Sequence, residues 1–180
     1  MNRRFGVIPY NRVDPNLPMK TTLVYSIRPA TATDIPSLVE MINAAFAIET
    51  FLEGTRTDAD RLASTLNKGT ILLAEDAEGR VLGSVYIETR GKRGYMGMLA
   101  VDPRHQGTGL ARRLLLTAEE LFRRNGCEAI DISVLSLRPE LIPFYQRFGF
   151  VENGVEEFAF ARTFRDNDAE CHCILMSKLL

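Results

Sequence analysis

The stretch Leu99-Ala100-Val101-Asp102-Pro103-Arg104-His105-Gln106-Gly107-Thr108-Gly109-Leu110-Ala111 constrains the fold of this chain more than any other. A strand-like run, Tyr95 to Val101, ends in a turn, and a glycine-bearing loop opens directly into a helix expected from about Thr108 to Arg124. Leu110, Leu114, Ala118, Leu121 and Phe122 fall on one side of that helix, and Asn125-Gly126 ends it. Ala129 to Val134 is strand-like again. A strand, a helix and a strand at this length make a crossover, so the two strands run parallel.

The flanking segments fill out a mixed sheet. Leu23 to Arg28 forms a first strand, stopped by Pro29. Thr33, Asp34 and Pro36 then open a helix whose Ile35, Leu38, Met41, Ile42, Ala45 and Phe46 make one apolar stripe. A second helix is expected to start at Thr57 with Thr57-Asp58-Ala59-Asp60, resembling a capping box, and to stop at Gly69. Ile71–Ala74, Val81–Thr89 and Tyr95–Val101 are joined by short connections and are therefore antiparallel neighbours. A short helix around Glu140 to Phe148 and strands near Val155–Phe164 and Glu170–Leu179 close the chain. The class is α/β: a mixed central sheet, mostly antiparallel with one parallel pair, and helices on its faces.

Of the 180 residues, 46% are apolar and 25% charged, which suits one globular domain over residues 23–180. Lys plus Arg total 22 against 23 acids, so the net charge of −1 argues against a dedicated nucleic-acid binder. No apolar run approaches the roughly 18 residues of a membrane helix. Residues 1–22 carry Arg3, Arg4, Arg12 and Lys20 with Pro9, Pro15 and Pro18, and lack the apolar stretch of a secretory signal. A loosely ordered arm is expected there, with Met19 as an alternative natural start. Three cysteines are too few for a disulfide framework, and the cytoplasm is the expected compartment. Strand alternation separates His172 from Cys171 and Cys173, so no metal site is expected.

Glycines at the mouth of a helix remove side chains from its free N–H groups, where the helix dipole also favours an anion. Residues 106–111 are therefore a candidate phosphate seat. No Gly-Lys-Ser/Thr follows, so this is no P-loop, and the third glycine of a dinucleotide fingerprint is missing.

Gln106-Gly107-Thr108-Gly109-Leu110-Ala111 resembles the Gln/Arg-x-x-Gly-x-Gly/Ala signature of the GNAT superfamily of N-acetyltransferases. Phe144-Tyr145-Gln146-Arg147-Phe148-Gly149-Phe150 is similar to that family's aromatic-Tyr-x-x-x-Gly-Phe segment, and lies one helix and one strand downstream. The resemblance spans about Ile27 to Leu180. It implies a fourth and fifth strand that splay apart, with the pantetheine arm of acetyl-CoA entering as an extra strand. Backbone groups of Leu99 and Val101 would take that arm, and Gly97 suits a bulge that opens the splay. N–H groups of Gln106, Gly107, Thr108, Gly109, Leu110 and Ala111 would hold the pyrophosphate, with Arg112 or Arg113 beside them. Arg138 stands where the family often has an Asn near CoA.

The resemblance further implies direct transfer of an acetyl group to a primary amine, on a small molecule or a peptide. Tyr145 matches the tyrosine that gives a proton to the CoA sulfur, and an N–H near Leu99 would face the oxyanion. Family members often place a glutamate base on the fourth strand, but Tyr95 to Val101 contains no acid. Glu88 on the neighbouring strand is the candidate, with Glu49 and Glu53 next; a low-pKa amine losing its proton to water is the alternative. On the acceptor side, Glu53 would hold an ammonium and Arg56 a carboxylate. Rival readings are transfer of another short acyl group, or an inactive CoA-binding regulatory module. A homodimer is compatible with either.

Overall fold

The computed structural model describes residues 24–158 and 171–180. Chain order is β1 (Ser26–Pro29), α1 (Ile35–Ala45), α2 (Ala59–Lys68), β2 (Thr70–Glu75), β3 (Val81–Arg90), β4 (Arg93–Val101), α3 (Leu110–Arg124), β5 (Ala129–Leu135), α4 (Leu141–Gln146), β6 (Val151–Glu157) and β7 (His172–Leu179). The seven strands form one sheet in the order β1-β2-β3-β4-β5-β7-β6. Among the described residues only β4 and β5 pair in parallel, as the crossover through α3 requires. The arm over residues 1–22, and the part of the expected Val155–Phe164 strand beyond Phe158, lie outside the described residues.

Each face of the sheet has its own core. Leu38, Met41 and Ile42 of α1 and Leu62 of α2 pack on Ile71, Leu73, Tyr86 and Ala100. On the opposite face Leu110, Leu114, Leu115, Ala118 and Phe122 of α3 cover Leu72, Val85, Ile87, Met96, Ile130 and Ile132. Burying each such side chain is worth about 1.5–3 kcal/mol before chain entropy is counted.

Helix starts differ slightly from expectation. The N-cap of α2 is Asp58, whose carboxylate accepts the Arg61 N–H at 2.9 Å. Thr57 is instead buried and held by Asn43, which accepts its N–H at 2.9 Å and donates to its carbonyl at 3.0 Å. That clip ties the end of the α1–α2 connection to α1. Helix α3 begins at Leu110 rather than Thr108, because Gly109 caps it at φ +87°, where an L side chain is strained. The Thr108 hydroxyl closes the preceding turn on the His105 carbonyl at 2.7 Å.

Candidate active site

β4 and β5 pair only from Arg93↔Ala129 to Met96↔Ile132. Beyond Met96, β4 follows β3, while β5 stays with β7 as far as Leu135↔Cys173. The two parallel strands thus separate and leave a gap in the sheet. Its local cause is a bulge: β3 runs Ser84, Val85, Tyr86 where β4 runs Ala100, Leu99, Met98, Gly97, so Val85 alone opposes both Met98 and Leu99. Met98 carries the distortion, at φ +46°. Gly97 precedes it with an ordinary φ and lets the Tyr95 ring approach, since a Cβ there would lie 3.2 Å from that ring.

A cleft of about 480 Å³ fills the gap. Gly97 to Val101 of β4 and Ser133 to Leu135 of β5 form its sides, with the glycine loop at one end and the α1–α2 connection at the other. Arg113 donates to the Gly109 carbonyl at 3.1 Å, so the N–H groups of Leu110, Ala111 and Arg112 are left at the open helix end. Nothing lies within 4 Å of a Cβ added at Gly107 or Gly109, so the space over this loop is free. This geometry and chemistry fit a pyrophosphate.

The structure brings Leu99, Val101, Gln106, Gly107, Gly109, Leu110, Ala111, Arg112, Arg138, Arg56 and Tyr145 to this one cleft. Leu110 turns its side chain into the core and offers only its backbone. The Gln106 amide leans on the Val101 carbonyl at 3.4 Å. Thr108 shapes the loop and is not in the lining. Neither Glu53, which is exposed, nor Glu88 is in the lining. Glu88 pairs opposite Tyr95 in the zipped half of β4, and its carboxylate accepts Arg90 Nη2 at 2.7 Å and the Tyr86 hydroxyl at 3.1 Å. The Arg90 bond, aided by Tyr86, holds that carboxyl below its usual range, which weakens it as a base.

Tyr145 packs edge-on against Phe144 and Phe150, with ring centroids 5.1 and 5.8 Å away. Burial pushes its phenol up to about 12, so it remains a donor at neutral pH. Glu49 has a larger part than its rank in the sequence suggested. Its side chain is 4% exposed, Oε2 accepts Arg56 Nη1 at 3.3 Å, and Oε1 accepts Arg138 Nη1 at 3.3 Å. Arg56 also stacks over Phe46, 4.5 Å from the ring centre. Arg138 is therefore fixed at the Glu49 end of the cleft, beside Arg56. Among the described residues no cluster of three or more His, Cys, Asp or Glu could hold a metal ion.

A strand gap ending on a glycine-capped helix is the arrangement that the resemblance to the N-acetyltransferases implied, and comparison with known proteins shows the family. The profile of the Acetyltransferase (GNAT) family matches residues 36–150. The chain belongs to this family of acyltransferases. It is 30% identical over 142 residues to glucosamine 6-phosphate N-acetyltransferase 1 of Oryza sativa subsp. japonica, covering 73% of this chain and 84% of that one. It is 33% identical over 105 residues to probable glucosamine 6-phosphate N-acetyltransferase 2 of the same plant, covering 53% of this chain and 61% of the relative, which is under two thirds of its length. The fold matches that of the ribosomal-protein-S18-alanine N-acetyltransferase from Escherichia coli, with a TM-score of 0.69 and 18% identity over 87% of this chain and 94% of that one. Among the described residues no helix is long and apolar enough to cross a membrane.

Proposed function

We propose that this protein transfers an acetyl group from acetyl-CoA directly to a primary amine. The observation that carries the proposal is the open half of the β4–β5 pair, which runs from the glycine loop past Tyr145 to the α1–α2 connection. Bound acetyl-CoA supplies a thioester, whose acyl carbon is the electrophile. Leu99 and Val101 offer backbone groups along the open edge, and the loop from Gln106 to Ala111, with Arg112, takes the pyrophosphate. An N–H of the bulge at Met98–Leu99 faces the developing oxyanion.

Tyr145 donates its O–H to the departing sulfur. A phenol near 12 is a weaker acid than a thiol at about 8.5, so full proton transfer runs uphill. The hydroxyl therefore stabilises the thiolate by a charge-assisted hydrogen bond, and the proton shed by the attacking nitrogen completes the thiol. Glu88 is held away from the cleft, and both oxygens of Glu49 are engaged by guanidiniums. Water then takes the proton of the nitrogen and relays it to the sulfur. The names of the relatives, which place the amine on an amino sugar phosphate, support a small polar acceptor.

The test is thiol release from acetyl-CoA over an amine panel, with Tyr145→Phe beside the wild type. Removing one donor to a developing anion should lower the chemical step by about 10²–10³ while acetyl-CoA affinity holds. A chemical step within about threefold of wild type would remove Tyr145 from the mechanism. CoA binding with no turnover on any amine would favour a regulatory module instead.

A further inference from the structure

We infer that the acceptor amine carries a separate oxyanion, a carboxylate or a phosphate, seated between Arg56 and Arg138. The inference rests on the transfer reading and narrows its substrate class. Among the described residues, the cleft lining holds three arginines, Arg56, Arg112 and Arg138, against one carboxylate, Glu49. Arg112 lies at the glycine loop, whereas the other two meet at the far end around Glu49.

The hydrogen-bond inventory shows what this end can take. Arg56 spends Nη1 on Glu49, and Arg138 spends Nη1 on Glu49 and Nε on Glu140. Among the described residues, Arg56 Nε and Nη2, and Arg138 Nη2, have no hydrogen-bond partner and remain for a ligand. Glu140 is 57% exposed and outside the cleft lining, so it engages Arg138 Nε from outside the cleft and leaves Nη2 unfilled. Among the described lining residues, two guanidiniums of 20% and 15% side-chain exposure share one carboxylate, Glu49. The unfilled guanidinium donors, held in a part-buried wall, offer nothing to an ammonium and favour an oxyanion.

Glu49 is a positioning residue: it holds the two guanidiniums on either side of its own carboxyl and so fixes their separation. The arrangement joins segments far apart in the chain, the end of the α1 region, the α1–α2 connection and the β5–α4 turn. Phe46 under Arg56 keeps that guanidinium flat and limits its freedom.

Two matched series test this: ethanolamine, β-alanine and O-phosphoethanolamine, and glucosamine with its 6-phosphate and 6-carboxylate forms. Binding of each to the full chain is measured by calorimetry with CoA present, and thiol release is then measured with acetyl-CoA. In at least one series an anionic member should bind about 10–100-fold tighter than the neutral one, the usual worth of a charged hydrogen bond. Which anion gains most separates carboxylate from phosphate. Arg56→Gln and Arg138→Gln should each remove most of that advantage, whereas Arg80→Gln, in the exposed β2–β3 turn, should leave it. If a Gln variant fails to fold, Arg56→Lys and Arg138→Lys keep the charge beside Glu49 and should lose the advantage in part. Equal binding of neutral and anionic amines, or an advantage that survives both Arg variants, overturns the inference. Anion-selective binding without thiol release would keep the seat and overturn the transfer reading alone.

Discussion

The two halves of the β4–β5 pair are built in opposite ways. In the lower half, Arg93 to Met96 lie against Ala129 to Ile132, and every neighbour tightens the seam. Arg93 forks onto Asp131, Ser177 donates to the same carboxylate, and Lys92 reaches Glu128 at 2.5 Å. Phe122 presses on Gly94 so closely that a Cβ there would come within 2.5 Å of its ring. In the upper half the ladder stops, one strand bulges, and the space between the strands becomes the cleft. The gap is not a weakness of the sheet in general. It is opened by one extra residue and held at a fixed width by the sealed half beneath it.

The largest effect should come from loosening the seal. Phe122→Ala removes a ring that is 1% exposed and should cost about 3–5 kcal/mol in urea unfolding. A loss below about 1 kcal/mol would mean that the seam does not depend on this contact. Next is a change confined to the open half. Gly109→Asp meets no neighbouring atom, but places a side chain and a negative charge at the loop while Gly109 sits at φ +87°. Acetyl-CoA at ~100 times Kd should raise wild-type stability by about 2.7 kcal/mol, and this rise should vanish in the variant. A full ligand-induced melting shift in Gly109→Asp would refute the phosphate seat.

The smallest effect tests the surface of the seal. The bond from Arg93 holds the Asp131 carboxyl below its ordinary range. A depressed carboxyl stabilises the fold above the unfolded value of about 3.9, and the gain is lost as pH falls through the depressed value. Asp131→Asn should therefore cost about 0.2–1 kcal/mol at neutral pH, and the two stability curves should converge in acid. Curves that stay parallel down to pH 2 would assign the loss to packing rather than charge.

Much of this division was legible in the chain. The crossover fixed the single parallel pair, and the glycine loop marked the end of the cleft. The bulge also left a trace: Tyr95 faces α1 and Met96 faces α3, yet Met98 and Ala100 face α1 while Leu99 and Val101 face α3. The alternation changes phase once, near Gly97, and a strand cannot do that without an extra residue. Glycine was the natural suspect, but Met98 takes the positive φ. Glu88 was harder to place. Its position on β3 is correct, but local sequence does not say which end of the next strand pair opens, and it stands at the sealed end. The link from Glu49 to Arg138 spans 89 residues, and no periodicity or motif connects positions so distant.

The phase change has a heritable side. Loss of Met98 alone would leave Met96, Gly97, Leu99, Ala100 and Val101 in plain alternation, each on the face it now occupies. The strand would shed a left-handed residue, worth about 1–2 kcal/mol of strain, and regain a continuous ladder with β3. A single in-frame codon deletion thus leads from an open sheet to a regular one that is cheaper to fold. Stability alone would favour the deletion, so only a use for the open sheet gives that codon a reason to stay.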